Sequence, residues 1–122
     1  MEENILNSIK KLLGIPEDYT AFDDQIIIHI NSVFMILNQL GVGPSEGFKI
    51  VDKEDTWDDY ISDETKLEIV KSYVYLKVKL LFDPPSNSSV MESINRQINE
   101  FEWRLNIKAE SSDILYRGGN SK

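Results

Sequence analysis

The spacing of hydrophobic and polar positions along the chain predicts four long helices. Apolar residues recur at intervals of three or four, which is the period of one face of an α-helix. Glycine stops the first two runs, at Gly14 and Gly41, and Asp83 before two prolines stops the third. The expected helices cover about residues 2–13, 20–40, 62–82 and 90–108.

The third long run carries apolar side chains in nearly every direction, which predicts that its helix is central in the fold. The two prolines and the short turn that follow it predict an antiparallel pairing of the third and fourth long helices. Short polar side chains can accept hydrogen bonds from the first free amides of a helix. We expect helix caps of this kind at Thr20, Thr56, Ser62 and Ser89.

Residues 41–60 have a different character. Three glycines and Pro44 exclude a regular helix, and the run from Phe48 to Val51 could form a short strand or one arm of a β-hairpin. Thr56 could cap a single helical turn that contains Trp57. Because the segment is longer than a simple connection requires, we expect a projecting loop with a functional role.

The predicted fold is therefore all-α. It is a small antiparallel bundle of four main helices and a short helical turn, with a long Gly/Pro-containing loop or β-hairpin and an extended C-terminal tail. A chain of 122 residues has room for one core. We expect residues 1–110 to form this domain, and residues 111–122 to form a flexible tail that a partner orders.

The charge is distributed unevenly. The chain has a net charge of −8, and residues 17–64 carry twelve acidic side chains against two lysines. Such a surface disfavours DNA binding. An acidic surface that keeps the protein soluble explains this pattern, and so does contact between acidic and mildly basic faces of neighbouring copies.

Candidate chemistry is scarce. His29 is the single histidine and there is no cysteine, so a thiolate zinc site is excluded and no second histidine or cysteine is present to complete a site at His29. We expect a structural or surface role for His29. The acidic residues from Asp52 to Glu64 do not fit a calcium-binding loop, and the glycines after Leu40 lack the lysine of a phosphate-binding loop. We expect no enzyme activity, cofactor or metal, and no membrane span or signal peptide.

Three segments together resemble the small head–tail connector, or adaptor, proteins of long-tailed bacteriophages. They are LLGIPEDYTAFDDQIIIHINSVFMILNQLGVGP, TWDDYISDETKLEIVKSYVYLKVKLLFDPP and INRQINEFEWRLNIKAE. The resemblance implies a structural protein that forms a ring, usually of twelve copies, below the portal in the virion neck. Such a ring extends the DNA channel and provides the docking site for the stopper or tail. Assembly in the cytoplasm of the bacterial host is expected.

The resemblance also implies two contact regions, which are assigned by position. The C-terminal tail would bind the portal, and the expected anchors are Ile114, Leu115, Tyr116 and Arg117. The loop of residues 41–60 would meet a neighbouring subunit or ring, with Phe48, Ile50 and Trp57 as the expected contacts. The hydrophobic pattern adds Ile28 and Met35 to this contact, because they are surplus apolar residues of the second helix. The apolar content of the helices agrees, because it predicts more buried surface than a single copy can supply.

An alternative interpretation stays open at this point. Small helical phage proteins also include DNA-packaging accessory proteins, related to small terminase subunits, that bind DNA or the packaging motor. An adaptor with an acidic surface is expected to let DNA pass through its lumen without specific binding. Affinity for DNA therefore separates the two interpretations.

Overall fold

The computed structural model describes the backbone of residues 4–116 and the side chains of residues 4–106. It contains five helices in this part of the chain. They are α1 (Ile5–Leu13), α2 (Asp23–Gln39), α3 (Trp57–Tyr60), α4 (Glu64–Phe82) and α5 (Ser88–Tyr116). The described backbone forms no strand, and one isolated bridge joins Asn4 to Thr56. The prediction of an all-α bundle with four main helices and one short turn is confirmed.

Helix α4 is the centre of the bundle, as its apolar pattern predicts. It packs against α1, α2 and α5, whereas α2 and α5 make few or no contacts with each other. Its fully buried side chains point in several directions, as shown by Val70, Tyr73 and Val78. A helix that is covered from three sides explains why the sequence shows no single polar face here.

The cap of α3 follows the prediction. The hydroxyl of Thr56 accepts a hydrogen bond from the amide of Asp59 at 3.3 Å, and the carboxylate of Asp59 accepts one from the amide of Thr56 at 3.0 Å. This reciprocal pair satisfies two amides that the helix itself leaves free.

The other three predicted caps are wrong. Asp63 caps α4 in place of Ser62, and Asn87 accepts hydrogen bonds from the first amides of α5 in place of Ser89. No side chain caps α2, so Thr20 does not have that role. In two of the three cases an Asp or Asn lies within two residues of the predicted serine, and Asx side chains are equally good acceptors.

Lys10 fixes the entry to α2. Its side chain is 1% exposed, and the ammonium forms an ion pair with Asp23 at 2.9 Å. It also donates to the backbone carbonyls of Glu17 and Tyr19, at 3.0 and 2.8 Å. A buried ammonium is tolerated when several acceptors surround it. Lys10 therefore joins the end of α1 to the connection that leads into α2.

Residues 41–60 lie against the body of the chain. Val42, Ile50, Trp57 and Tyr60 are all buried in the hydrophobic core. Gly43 approaches the ring of Tyr60 so closely that a Cβ atom would lie 2.6 Å from it, with φ at +88°. The glycine pattern that excludes a helix here therefore also permits close packing.

Helix α5 begins after the Asp83-Pro84-Pro85 stop and packs along α4, which confirms the predicted hairpin. The side chains of Ile94, Ile98 and Leu105 are buried against the core. The helix extends to Tyr116, beyond the end expected near Lys108. No proline or glycine occurs before Gly118 to stop it.

Candidate interaction surface

The outer side of α2 exposes large apolar side chains. Ile28 is 63% exposed and Met35 is 65% exposed. They are seven residues apart, so both lie on the same side of the helix, opposite the buried stripe that contains Ile30 and Val33. We call Ile28 and Met35 the α2 outer face. Amphipathic helices normally place polar residues in this position, so these two side chains indicate a contact with another molecule.

A groove of about 460 Å³ lies beside this face, and we call it the α2 groove. One wall is α2 itself and the other is the backbone and side chains of residues 46–49. The lining residues are Asn31, Phe34, Met35, Asn38, Glu46, Gly47, Phe48 and Lys49. The surface of the groove is mainly apolar, and its polar lining consists of Asn31, Asn38, Glu46 and Lys49. A mainly apolar lining with a few polar groups is the usual composition of a site that holds an apolar side chain.

The loop wall of the groove is held by Asn31. Its side-chain amide donates to the carbonyl of Ile50 at 2.9 Å, and its side-chain oxygen accepts from the amide of Ile50 at 2.7 Å. Asn38 donates to the carbonyl of Pro44 at 3.1 Å. Phe48 then packs edge-on against Phe34, with ring centroids 5.3 Å apart. These contacts fix the position of the segment that lines the groove.

The five residues predicted at a contact between copies have different surroundings. Ile28 and Met35 are exposed, and Phe48 is half-buried in the wall of the groove. Ile50 and Trp57 are each 2% exposed and belong to the core of the chain. The indole N–H of Trp57 donates to the hydroxyl of Ser8 at 2.9 Å. The surface available to a partner therefore consists of Ile28, Met35 and the exposed edge of Phe48.

The predicted portal anchors lie at the end of the chain. Ile114, Leu115 and Tyr116 belong to the last turn of α5, but their side chains lie outside the described residues. Arg117 lies wholly outside the described residues. A role for these four residues remains a prediction from the sequence.

Trp103 is an exposed residue that is absent from the contacts predicted from the sequence. It lies on α5, is 65% exposed, and points away from the buried stripe of Ile98 and Leu105. Its position could have been found from the helical period, because Trp103 falls between the core positions Phe101 and Leu105. Aromatic residues that remain exposed in this way are common anchors of protein interfaces.

A second group of exposed apolar residues lies where α2 begins and α4 ends. The rings of Tyr19 and Phe22 are 5.6 Å apart, and those of Phe22 and Phe82 are 5.3 Å apart. Leu81 is also exposed beside Phe82. Because these rings cover one another in part, the group is less available to a partner than the isolated Trp103.

An open acidic groove of about 670 Å³ separates the start of α2 from the loop around Val51. Its lining includes five carboxylate side chains and one lysine: Glu17, Asp18, Asp23, Asp24, Asp52 and Lys53. Within the described residues, no three His, Asp or Glu side chains are placed to hold a metal ion. The groove therefore contributes negative potential rather than a coordination site.

The half-buried His29 lies outside the lining of this groove, and its Nε2 atom has no hydrogen-bond partner among the described residues.

The cations of α4 do not line up as a stripe for nucleic acid. The ammonium of Lys71 lies 5.7 Å from the ring centroid of Trp57, and that of Lys77 lies 6.0 Å from the ring of Tyr73. Lys79 pairs with Asp83 at 3.5 Å. A DNA-binding face requires clustered cations that point outward together. The described part of α4 lacks that arrangement, and none of the described helices is long and apolar enough to cross a membrane.

Comparison with known proteins gives one finding. A family model described as a phage connector protein matches residues 5–112, which is most of the chain. No curated protein and no solved structure matches the chain. The matched range contains all four long helices up to residue 112 and the whole of the α2 outer face.

Proposed function

We propose a structural role in the virion neck for this chain, which belongs to the phage connector protein family. In this role several copies assemble as a ring below the portal, with twelve copies expected. The ring extends the DNA channel and offers a docking surface to the stopper or tail. Family membership supports a connector that carries no catalytic activity. The ring, the copy number and the partners are parts of the proposal.

The observation that carries the proposal is the exposure of the α2 outer face. Ile28 and Met35 lie opposite the core stripe of α2, where a chain that works alone would place polar residues. Burying one such side chain contributes about 1.5–3 kcal/mol. Contact between copies is the simplest way to remove these side chains from water, and it supports assembly of a connector from identical subunits.

Charge supports the passage of DNA through such an assembly. Each copy carries a net charge of −8, so twelve copies would together carry a formal charge of about −100. Negative potential along a channel keeps the DNA phosphates from adhering to its wall. Like charges also repel between copies, so apolar contacts and local acid–base pairs must hold the ring together.

The C-terminal end is the proposed portal anchor. Helix α5 reaches Tyr116, so the backbone of the predicted anchors Ile114, Leu115 and Tyr116 is the helical end of α5. Together with Arg117, these residues would present three large side chains and one cation to the portal. Apolar and arginine side chains are typical anchors of such contacts.

Native mass spectrometry of the full chain with its portal tests the proposal. We expect a complex that contains several copies of the chain per portal ring. Deletion of residues 111–122 should abolish portal association without changing the helical content of residues 4–106. A chain that stays monomeric in the presence of portal would contradict the proposed function. An unchanged complex after the deletion would contradict only the anchor assignment.

A further inference from the structure

We propose that Trp103 of one copy binds in the α2 groove of the next copy, so that neighbouring subunits meet head to tail. This inference rests on the proposed function, since it names the partner surfaces within the assembly. It is based on two exposed apolar surfaces of different shape, one convex and one concave, on two helices of the same chain.

Each of the two surfaces contains a large apolar side chain that is exposed to solvent. Trp103 on α5 and Met35 on α2 are each 65% exposed, and each points away from the core stripe of its own helix. A large aromatic side chain of this kind can bury about 150–250 Å² at an interface. A single such residue, seated in a complementary recess, often supplies much of the binding energy. Trp103 is therefore the projecting partner of the pair.

The α2 groove is suited to receive an aromatic ring. Its volume is about 460 Å³, and its lining includes the half-buried ring of Phe48, which packs against the buried ring of Phe34. Met35 at its edge has a thioether, which makes favourable contacts with aromatic rings. The amides of Asn31 and Asn38 hold the loop wall in place, so the groove does not have to form when the ring enters. Preorganisation of this kind lowers the cost of binding.

The arrangement of helices places the two surfaces on different sides of the chain. Both α2 and α5 pack against α4, and they have few or no contacts with each other. An indole on α5 therefore cannot fill the α2 groove of its own chain. Contact between two different surfaces of identical subunits is heterologous, and it closes into a ring when the rotation between copies allows.

Charge favours this pairing over contact between two α2 faces. Residues 17–64, which include α2 and the loop wall, carry twelve acids against two lysines. Two such faces would repel each other. The α5 surface around Trp103 exposes Arg96, two helical turns earlier on the same side, and an ion pair between Arg104 and Glu100, so its acids and bases nearly balance. The α2 surface exposes Asp24 and Glu46 against Lys49. Contact between α5 and α2 therefore brings less like charge together than contact between two α2 faces.

The absence of cysteine from the chain makes a direct cross-linking test possible. Ser32→Cys places a thiol on the α2 outer side, and Asn99→Cys places one beside Trp103, one helical turn earlier; both residues are exposed. Neither change removes a proposed anchor. The two full-length variants are mixed, assembled with portal if required, and treated with a short bismaleimide. Ser72→Cys on α4 replaces Ser32→Cys in the control mixture.

We expect a cross-linked dimer from the Ser32→Cys and Asn99→Cys mixture, none from either variant alone, and a ladder of oligomers from a chain that carries both changes. Dimers from Ser32→Cys alone would show contact between like faces and overturn the proposal. An assembly that forms without the mixed product overturns the head-to-tail contact but leaves the proposed function intact. Absence of any assembly with portal overturns both.

Removal of the indole supplies the energetic test. Trp103→Ala should raise the concentration needed for assembly by about thirtyfold, as expected for a central interface anchor. Leu12→Ala is the matched control, because Leu12 is 53% exposed on α1 and lies outside both surfaces. The melting temperature of each variant shows whether the fold is retained. Unchanged assembly of the folded Trp103→Ala variant would overturn the inference.

Discussion

Lys10 shows how a single polar residue can decide the packing of a small core. Lys10 is one of two lysines of α1, and its ammonium is enclosed by one carboxylate and two carbonyls. The neighbouring Lys11 is exposed. The difference arises because the chain between α1 and α2 folds back over Lys10. The helical period of α1 alone does not show which of these two lysines the connection covers.

Replacement of Lys10 by methionine should destabilise the chain by about 3 kcal/mol, because the substitution leaves the half-buried Asp23 and the carbonyls of Glu17 and Tyr19 without their donor. Urea unfolding followed by circular dichroism measures the change. Lys11→Met is the control and should alter the free energy of unfolding by less than about 0.5 kcal/mol. Equal effects of the two substitutions would contradict the structural role of Lys10.

Tyr73 is the other residue with unusual surroundings. Its side chain is fully buried in α4, and its hydroxyl donates to the carboxylate of Glu102 on α5 at 2.7 Å. Burial raises the pKa of Tyr73 above its ordinary value of 10, and the hydrogen bond to Glu102 with its negative charge raises it further. Burial also raises the pKa of Tyr60. The folded chain therefore holds these two protons more tightly than the unfolded chain does.

Alkaline pH should accordingly weaken the fold. Stability contributed by the protonated tyrosines is complete below the unfolded pKa near 10 and is lost as the pH rises above it. Each buried tyrosine contributes a slope of about 1.4 kcal/mol per pH unit in that range. Tyr73→Phe and Tyr60→Phe should each remove one part of the slope. Urea unfolding at pH values from about 9 to about 11 measures both.

At the scale of elements, the periodic patterns predicted what the helices are and which of them is central. The ends were harder to predict. Asp63 and Asn87 took the capping positions assigned to nearby serines, because several short polar residues in a row are chemically equivalent from the sequence alone. The segment expected to project instead packs against α2. Its attachment depends on Asn31, which the helical pattern marks only as a polar position.

Asn31→Ala should release this segment. Two hydrogen bonds to the backbone of Ile50 are lost, and the buried backbone groups of Ile50 remain unpaired, at a cost of about 2 kcal/mol. We expect faster hydrogen exchange at the amide of Ile50, measured by nuclear magnetic resonance. Asn38→Ala serves as the control, since Asn38 is bonded to Pro44 instead. Slow exchange at Ile50 in the Asn31→Ala variant would contradict this attachment.

At the scale of the whole molecule, the charge distribution separates the connector role from a DNA-binding role. Acidic side chains are concentrated in the part that contains α2 and α3. On α4, Lys71 and Lys77 lie over aromatic rings and Lys79 pairs with Asp83. In the proposed ring, the acidic face of one copy would contact the less acidic face of the next. A DNA duplex would meet mostly like charge.

Gel shifts at low salt should therefore show no complex between the full chain and double-stranded DNA at micromolar protein, with or without assembly. Low salt is the sensitive condition, because nonspecific DNA affinity rises steeply as salt is removed. A basic DNA-binding domain of similar size provides the positive control. Tight binding would instead favour a DNA-packaging accessory protein.

The sequence by itself determined the helices, the hairpin after Asp83 and the central position of α4. Each of these depends on local periods or on residues that cannot continue a helix. It also indicated that the helices carry more apolar surface than a single copy can bury. Only the tertiary structure decided which of these side chains remain exposed, because burial depends on contacts between distant segments. Ile50 and Trp57 are covered by such contacts, whereas Met35 and Trp103 remain exposed.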